Sequence, residues 1–264
     1  MSVIRRYPFF DEVVCNNILD FYSFSDFVDG ERTGPSDKRI KNNLQMANQP
    51  EALDNLFTEQ FFKTPVSKGM LVKRITQPLF LDYKSENQGH YHFHNDAPFM
   101  SGRNVRSDFV IIIALNDESE YEGGDLIIRS GTENCAFRLQ KGVGIFFDPN
   151  MWHMVSPVTG GSRKVVVCWA ETYVSDPWAR ELMYDYLDQM SLMKTTMEQV
   201  DREHGGLFTR TWKTYHDIDP YTYQNAIYNK LTRKYVVSQE TMDKYDGSRA
   251  INRYIKETGG INND

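Results

Sequence analysis

DFVIIIALNDESEYEGGDLIIRSGTENCAFRLQKGVGIFFDPNMWHMVSPVTGGSRKVVVCWAE, residues 108–171, is a train of short apolar runs cut by turn residues. The runs at 108–115, 125–130, 136–140, 143–148, 152–158 and 163–171 are rich in β-branched and aromatic side chains. Between them stand Glu122-Gly123-Gly124-Asp125, Lys141-Gly142, Pro149-Asn150 and Thr159-Gly160-Gly161. Glycine there supplies left-handed backbone, and proline ends a hydrogen-bonded ladder. Many short strands so punctuated predict a sandwich or barrel rather than a βαβ array.

Upstream, the runs at 71–75, 78–84 and 90–96 continue the pattern. Before them the texture is helical. Phe9, Val13, Val14, Ile18, Leu19 and Phe21 mark one face of a helix over 8–28, and Leu53, Leu56, Phe57 and Phe61 one over 51–63. The polar stretch 29–40, with two glycines and a proline, reads as a loop. Helix resumes after Asp176-Pro177, with a stripe of Trp178, Leu182, Met183, Tyr186, Leu187, Met190, Met193 and Met197. That stripe suits packing on the sheet, and it would also suit a homodimer contact. Residues 204–264 interleave aromatics with bases and read as a helical extension. The expectation is an α+β fold with a mainly β core. One domain spans 1–203, as helical support over 1–69, core over 70–172 and helix over 177–200; 204–264 is the appendage.

The 264 residues carry a formal charge of -6, which gives no global pull towards nucleic acid or an anionic membrane. Cys15, Cys135 and Cys168 are too few and too irregular for a disulfide framework or a structural zinc site. The N-terminal stretch lacks a signal-peptide apolar run, and no apolar stretch reaches membrane-spanning length. The expected location is the cytoplasm.

His90-Tyr91-His92-Phe93-His94-Asn95-Asp96 is the segment that carries chemistry. On a regular strand His90, His92, His94 and Asp96 share one face. A lone His-x-Asp is weak evidence, and His90 and His92 read as packing residues or as neighbours of ligands. His92-x-His94 could form a different two-histidine set, but Asp96 would then have no task. His153 opens a later run, and Arg163 follows it by ten residues. Two histidines and one carboxylate make the facial triad of non-haem iron(II) sites, and an arginine can grip a carboxylate with a planar fork.

With His-x-Asp, the distant histidine, Arg163 and then Trp169, the chain resembles the iron(II)/2-oxoglutarate oxygenases, in their prolyl 4-hydroxylase-like, PKHD-type branch. The resemblance runs over about 78–190 and takes in the hairpin FVIIIALNDESEYEGGDLIIR. It implies a double-stranded β-helix, or jelly roll. It implies iron on His94, Asp96 and His153, with 2-oxoglutarate on Arg163, Tyr91 and Tyr83. Tyr83 precedes a loop two residues longer than the family pattern. Trp169 and His92 would support the ligands, Val165, Val167 and Trp169 would wall the site, and ascorbate could serve as an auxiliary reductant. The implied reaction consumes O2 and 2-oxoglutarate, hydroxylates a substrate carbon and releases succinate and CO2. Asp96 argues against halogenating relatives, which lack the acidic ligand. Trp169 stands where nucleic-acid demethylating relatives carry a second arginine. The leading expectation is a peptidyl substrate such as proline. The alternatives are a small molecule or free amino acid, or a metal-binding module without turnover. Substrate selection is expected in loops 29–50, 97–107 and 204–235, while His204 and His216 fall outside the constellation.

Overall fold

A computed structural model of the chain describes residues 4–100, 104–215 and 220–235. The strands are β1 (Ile4–Pro8), β2 (Phe27–Asp29), β3 (Lys41–Asn42), β4 (Leu44–Met46), β5 (Val72–Ile75), β6 (Leu79–Lys84), β7 (His90–His94) and β8 (Phe99–Met100). They continue with β9 (Val105–Arg106), β10 (Phe109–Ala114), β11 (Tyr121–Gly123), β12 (Leu126–Ser130), β13 (Glu133–Phe137), β14 (Val143–Phe147), β15 (His153–Val155) and β16 (Val158–Thr172). The helices are α1 (Glu12–Phe24), α2 (Glu51–Lys63), α3 (Pro65–Gly69), α4 (Pro177–Glu203), α5 (Leu207–Tyr215) and α6 (Pro220–Tyr235). Two compact units emerge, one within 1–63 and 73–171, the other within 64–72 and 172–264.

The first unit is a two-sheet sandwich. Its major sheet runs β1-β14-β10-β16-β6-β4-β2, with β5 and β11 also paired to β16, and its minor sheet runs β13-β12-β15-β7-β3. Val110, Ile112, Ile145, Phe147, Val165 and Val167 of the major sheet meet Leu126, Ile128 and Val155 of the minor sheet in one core. The opposite face of the major sheet is covered too: Phe80 of β6 packs edge-on against Phe57 of α2 and Tyr22 of α1. Strand β10 is therefore buried on both faces, with Ile111 and Ile113 fully enclosed. That explains an unbroken apolar run where alternation would mark a half-exposed strand.

Several expectations need correction. The helix expected over 8–28 is confined to Glu12–Phe24, started by the Asp11 carboxylate accepting from the Val14 N–H, while 27–29 is a strand. Segment 1–69 supplies β1 to β4 as well as helices, because long-range pairing decides those strands: β1 lies along β14, and β4 along β6. Gly160-Gly161 is no turn between strands but part of the continuous β16. Gly161 has φ +66, and a Cβ there would stand 2.2 Å from the Glu120 carbonyl oxygen, so glycine permits the close approach of the segment that becomes β11.

In the second unit α4 begins with Asp176 accepting from the Ala179 N–H and Pro177 in the first turn. Met183, Leu187 and Met190 pack with Leu71, Val174 and Tyr228. The stripe is not wholly internal, since Trp178 and Met193 are exposed. The extension is helical over α5 and α6; His216 and residues 236–264 lie outside the described residues. No described helix is long and apolar enough to cross a membrane.

Candidate metal centre

His94 ends β7 and His153 begins β15, and the two are direct partners across the minor sheet. Two residues on, Val155 pairs with Tyr91, so β7 spends three residues where β15 spends two. This bulge breaks the alternation expected from a regular strand. Tyr91 and His94 thereby border the same cavity, with their rings stacked 3.6 Å apart, while the His92 side chain is exposed. His90 is also turned away, its ring between the carbonyls of Gln88 and Arg39. The four-residue face His90, His92, His94, Asp96 does not form, and His92 contributes through its carbonyl instead.

That carbonyl accepts from His94 Nδ1 at 2.8 Å, and the Met151 carbonyl accepts from His153 Nδ1 at 2.9 Å. A carbonyl oxygen can only accept, so both Nδ1 atoms carry a proton and the Nε2 atoms are the ones left to face a metal. Those Nε2 atoms lie 3.8 Å from the two oxygens of Asp96. The three side chains can each present one ligand atom, all within 4.8 Å of one another. Asp96 follows β7 and is pinned by its N–H to the Pro149 carbonyl, and Trp169 Nε1–H donates to Asp96 Oδ2 at 3.0 Å. Donor identity, proton placement and spacing all fit a divalent cation with open positions.

The electrostatics agree. Burial holds the His94 imidazole at about 3, helped by the nearby His153, so it is neutral at pH 7 and ready to ligate. Burial pushes Asp96 above the ordinary carboxylate range, against the pull of His153 and Trp169. A cation between these groups relieves that cost. Removing the indole donor frees one carboxylate oxygen to rotate. Trp169→Phe is expected to weaken Mn(II) binding by about tenfold while leaving the KM for an organic co-substrate within a factor of about two. Titration followed by electron paramagnetic resonance reads the first quantity. Unchanged Mn(II) affinity would remove Trp169 from the centre's support.

The cavity over the triad has a volume of about 220 Å³. Val155, Val167, Ile112 and Leu126 wall it, and Tyr83, Tyr91 and Lys41 border it. Arg163 is buried beside it, partnered in register with Tyr83, its guanidinium carbon 5.3 Å from the Tyr83 ring centroid. Among the described residues no carboxylate reaches that guanidinium. Burial raises the Tyr83 hydroxyl pKa, and the Arg163 charge partly offsets it. Gly124 fits the site closely: at φ +65, a Cβ there would stand 2.8 Å from Val158 Cγ2 and 3.1 Å from Arg163 Cδ.

Lys41 has no counterpart among the residues singled out from the sequence. It is 5% exposed, donates from Nζ to the Gly30 carbonyl at 2.7 Å and to Thr33 Oγ1 at 3.2 Å, and lies 5.2 Å from the Tyr91 ring. In KRIKNN nothing distinguishes it from a surface lysine; only the folding of 30–33 around it does. Burial lowers its pKa to about 8. Between that value and 10.5 the unfolded chain binds more protons, so Lys41 costs full stability below pH 8 and progressively less above it. Lys41→Met is expected to stabilise the metal-free protein at pH 7 by about 2 kcal/mol, once the orphaned Gly30 carbonyl is counted. The gain should shrink by pH 10. Denaturant unfolding at both pH values checks it, and equal gains would refute the burial cost.

The family model of the 2OG-Fe(II) oxygenase superfamily matches residues 79–171. A PKHD-type hydroxylase of Rippkaea orientalis is 32% identical over 221 residues, 80% of this chain and 91% of that protein. One from Prochlorococcus marinus strain MIT 9301 is 34% identical over 172 residues, 63% of this chain and 76% of that protein. Among solved structures, a Trichoplax adhaerens prolyl hydroxylase in complex with a hypoxia inducible factor peptide fragment superposes with a TM-score of 0.50. It is 15% identical and covers 64% of this chain and 83% of that one, a likeness of fold. The sandwich described above is accordingly a double-stranded β-helix.

Proposed function

The chain belongs to the 2OG-Fe(II) oxygenase superfamily, among the PKHD-type hydroxylases, and from that premise we propose that it hydroxylates an unactivated carbon of a peptidyl residue such as proline, releasing succinate and CO2. It is a 2-oxoglutarate-dependent dioxygenase, using iron(II), 2-oxoglutarate and O2. Bound iron and co-substrate supply oxygen activation coupled to decarboxylation of 2-oxoglutarate.

The chain's part is placement. His94, Asp96 and His153 would hold the metal, and Trp169 fixes the Asp96 carboxylate. Arg163 would take the distal carboxylate of 2-oxoglutarate, with Tyr83 against the guanidinium and Tyr91 against His94. Val155, Val167 and Ile112 exclude water, which strengthens each of these contacts. The observation that carries the reading is the pair of histidines whose Nδ1 protons are committed to backbone carbonyls, leaving both Nε2 atoms beside Asp96. Anaerobic titration with iron(II) and 2-oxoglutarate should develop a charge-transfer absorption, and admission of O2 should yield succinate. A protein that binds neither would sink the proposal.

A further inference from the structure

A second space adjoins the metal cavity. It is a groove of about 560 Å³ that shares Thr33, Leu79, Met100 and Trp169 with the 220 Å³ cavity. The two differ in chemistry. The small cavity holds the triad and Lys41, whereas among the described residues no ionisable side chain borders the groove. Its polar walls are the amides of Gln45, Gln49 and Gln77 and the hydroxyls of Thr33 and Thr76. Two of these amides are poised to donate. Gln45 Oε1 accepts from Thr33 Oγ1 at 2.7 Å, which directs its NH2 away from Thr33, and that NH2 has no partner among the described residues. Gln49 Nε2 is closed off from solvent and has no hydrogen-bond partner among the described residues, so a ligand meets it by turning the amide towards the groove. A buried, unsatisfied amide costs about 1–3 kcal/mol, and an acceptor brought by a ligand would remove that cost.

Resting on the function proposed above, we propose that this groove selects the substrate, and that its occupant is an extended, uncharged peptide segment whose backbone carbonyls accept from Gln45 and Gln49. Peptide carbonyls are neutral acceptors at regular spacing, and the described residues of the groove offer no cation to an acidic ligand or nucleic acid and no carboxylate to a basic one. The residues shared by the two spaces complete the arrangement. Leu79, Met100 and Trp169 form an apolar collar through which one side chain passes to the metal, while the polar backbone stays among the amides. Size agrees with this division: the small cavity suits a compact diacid, the larger groove a chain.

The test uses fluorescein-labelled peptide pools with a fixed central proline. In one pool the flanks are drawn from Gly, Ala, Ser, Thr, Asn and Gln; in two others they include Glu or Lys. Anisotropy with the full chain loaded with Mn(II) and 2-oxoglutarate reads binding without turnover. The uncharged pool should bind at least about fivefold tighter than either charged pool. Gln45→Leu and Gln49→Leu should each weaken it about three- to tenfold, raising KM for succinate release rather than lowering kcat. Gln45 is only half-buried, so that variant folds even if the other does not. Equal binding of charged pools, or affinity unchanged in both variants, overturns the proposal. So does succinate release driven by free amino acids and by no peptide, which leaves the oxygenase reading intact. Absence of succinate under every condition sinks that reading itself, and this proposal with it.

Discussion

Asp96→Ala should abolish 2-oxoglutarate turnover and weaken Mn(II) or iron(II) binding by more than about 100-fold. Losing a support of a ligand costs 10–100-fold in typical sites, and here the only charged ligand itself is lost. The two imidazoles that remain keep their Nδ1 tethers, so the variant retains the two nitrogen donors but not the carboxylate. Without metal it should be no less stable than the wild type. The Asp96 carboxylate is buried and its pKa is raised, so its ionised form is a cost of the fold, set against a lost hydrogen bond from Trp169. The contrast appears in thermal unfolding with and without Mn(II). The wild-type midpoint should rise with metal concentration as mass action requires, and the variant's should not. A metal-dependent rise that survives the substitution would move the centre elsewhere.

The parts of this centre were unequally legible in the sequence. His94, Asp96 and His153 were singled out because two histidines and a carboxylate are a metal's donor set and because their spacing, with Arg163 and Trp169, resembles that of a known family; the fold brings the three side chains together. Helix α2 matched its expected bounds, residues 51–63, because its stripe is complete within one segment. The bulge in β7 could not be read, since it exists only relative to β15. It reversed the faces of Tyr91 and His92 relative to His94, the one point where strict alternation misled. Lys41 was hidden for a similar reason: its burial depends on Gly30, Thr33 and Tyr91, none of which marks a lysine from the sequence side. Strands β1 to β4 went unseen because two to five residues of local pattern cannot outweigh pairing partners far along the chain. Gly160 and Gly161 looked like a turn because glycine signals unusual backbone, and a close crossing uses the same property.

Arg163→Met is expected to raise the KM for 2-oxoglutarate at least about 30-fold, corresponding to the loss of one buried charge-assisted pair. Arg163→Lys should recover part of this, because an ammonium restores charge without the two-pronged fork. The geometry makes the experiment decisive between two cations. Arg163 is buried with no acidic partner among the described residues, an arrangement that is costly unless a ligand supplies the anion. Lys41 is buried as well and borders the cavity directly, but two of its three donors are already engaged by Gly30 and Thr33. Burial also holds its pKa at about 8, so part of its charge is gone in mildly alkaline solution. An anchor at Arg163 therefore gives a KM for 2-oxoglutarate that is flat from pH 7 to pH 9, and Lys41→Met shifts it little. An anchor at Lys41 gives the opposite on both counts, with KM rising through pH 8 and Arg163→Met nearly silent. Initial rates of succinate release across that pH range, for both variants, separate the two. The same pair of substitutions should stabilise the metal-free protein, since each removes a buried cation, so any loss of turnover in them reports lost binding rather than lost fold.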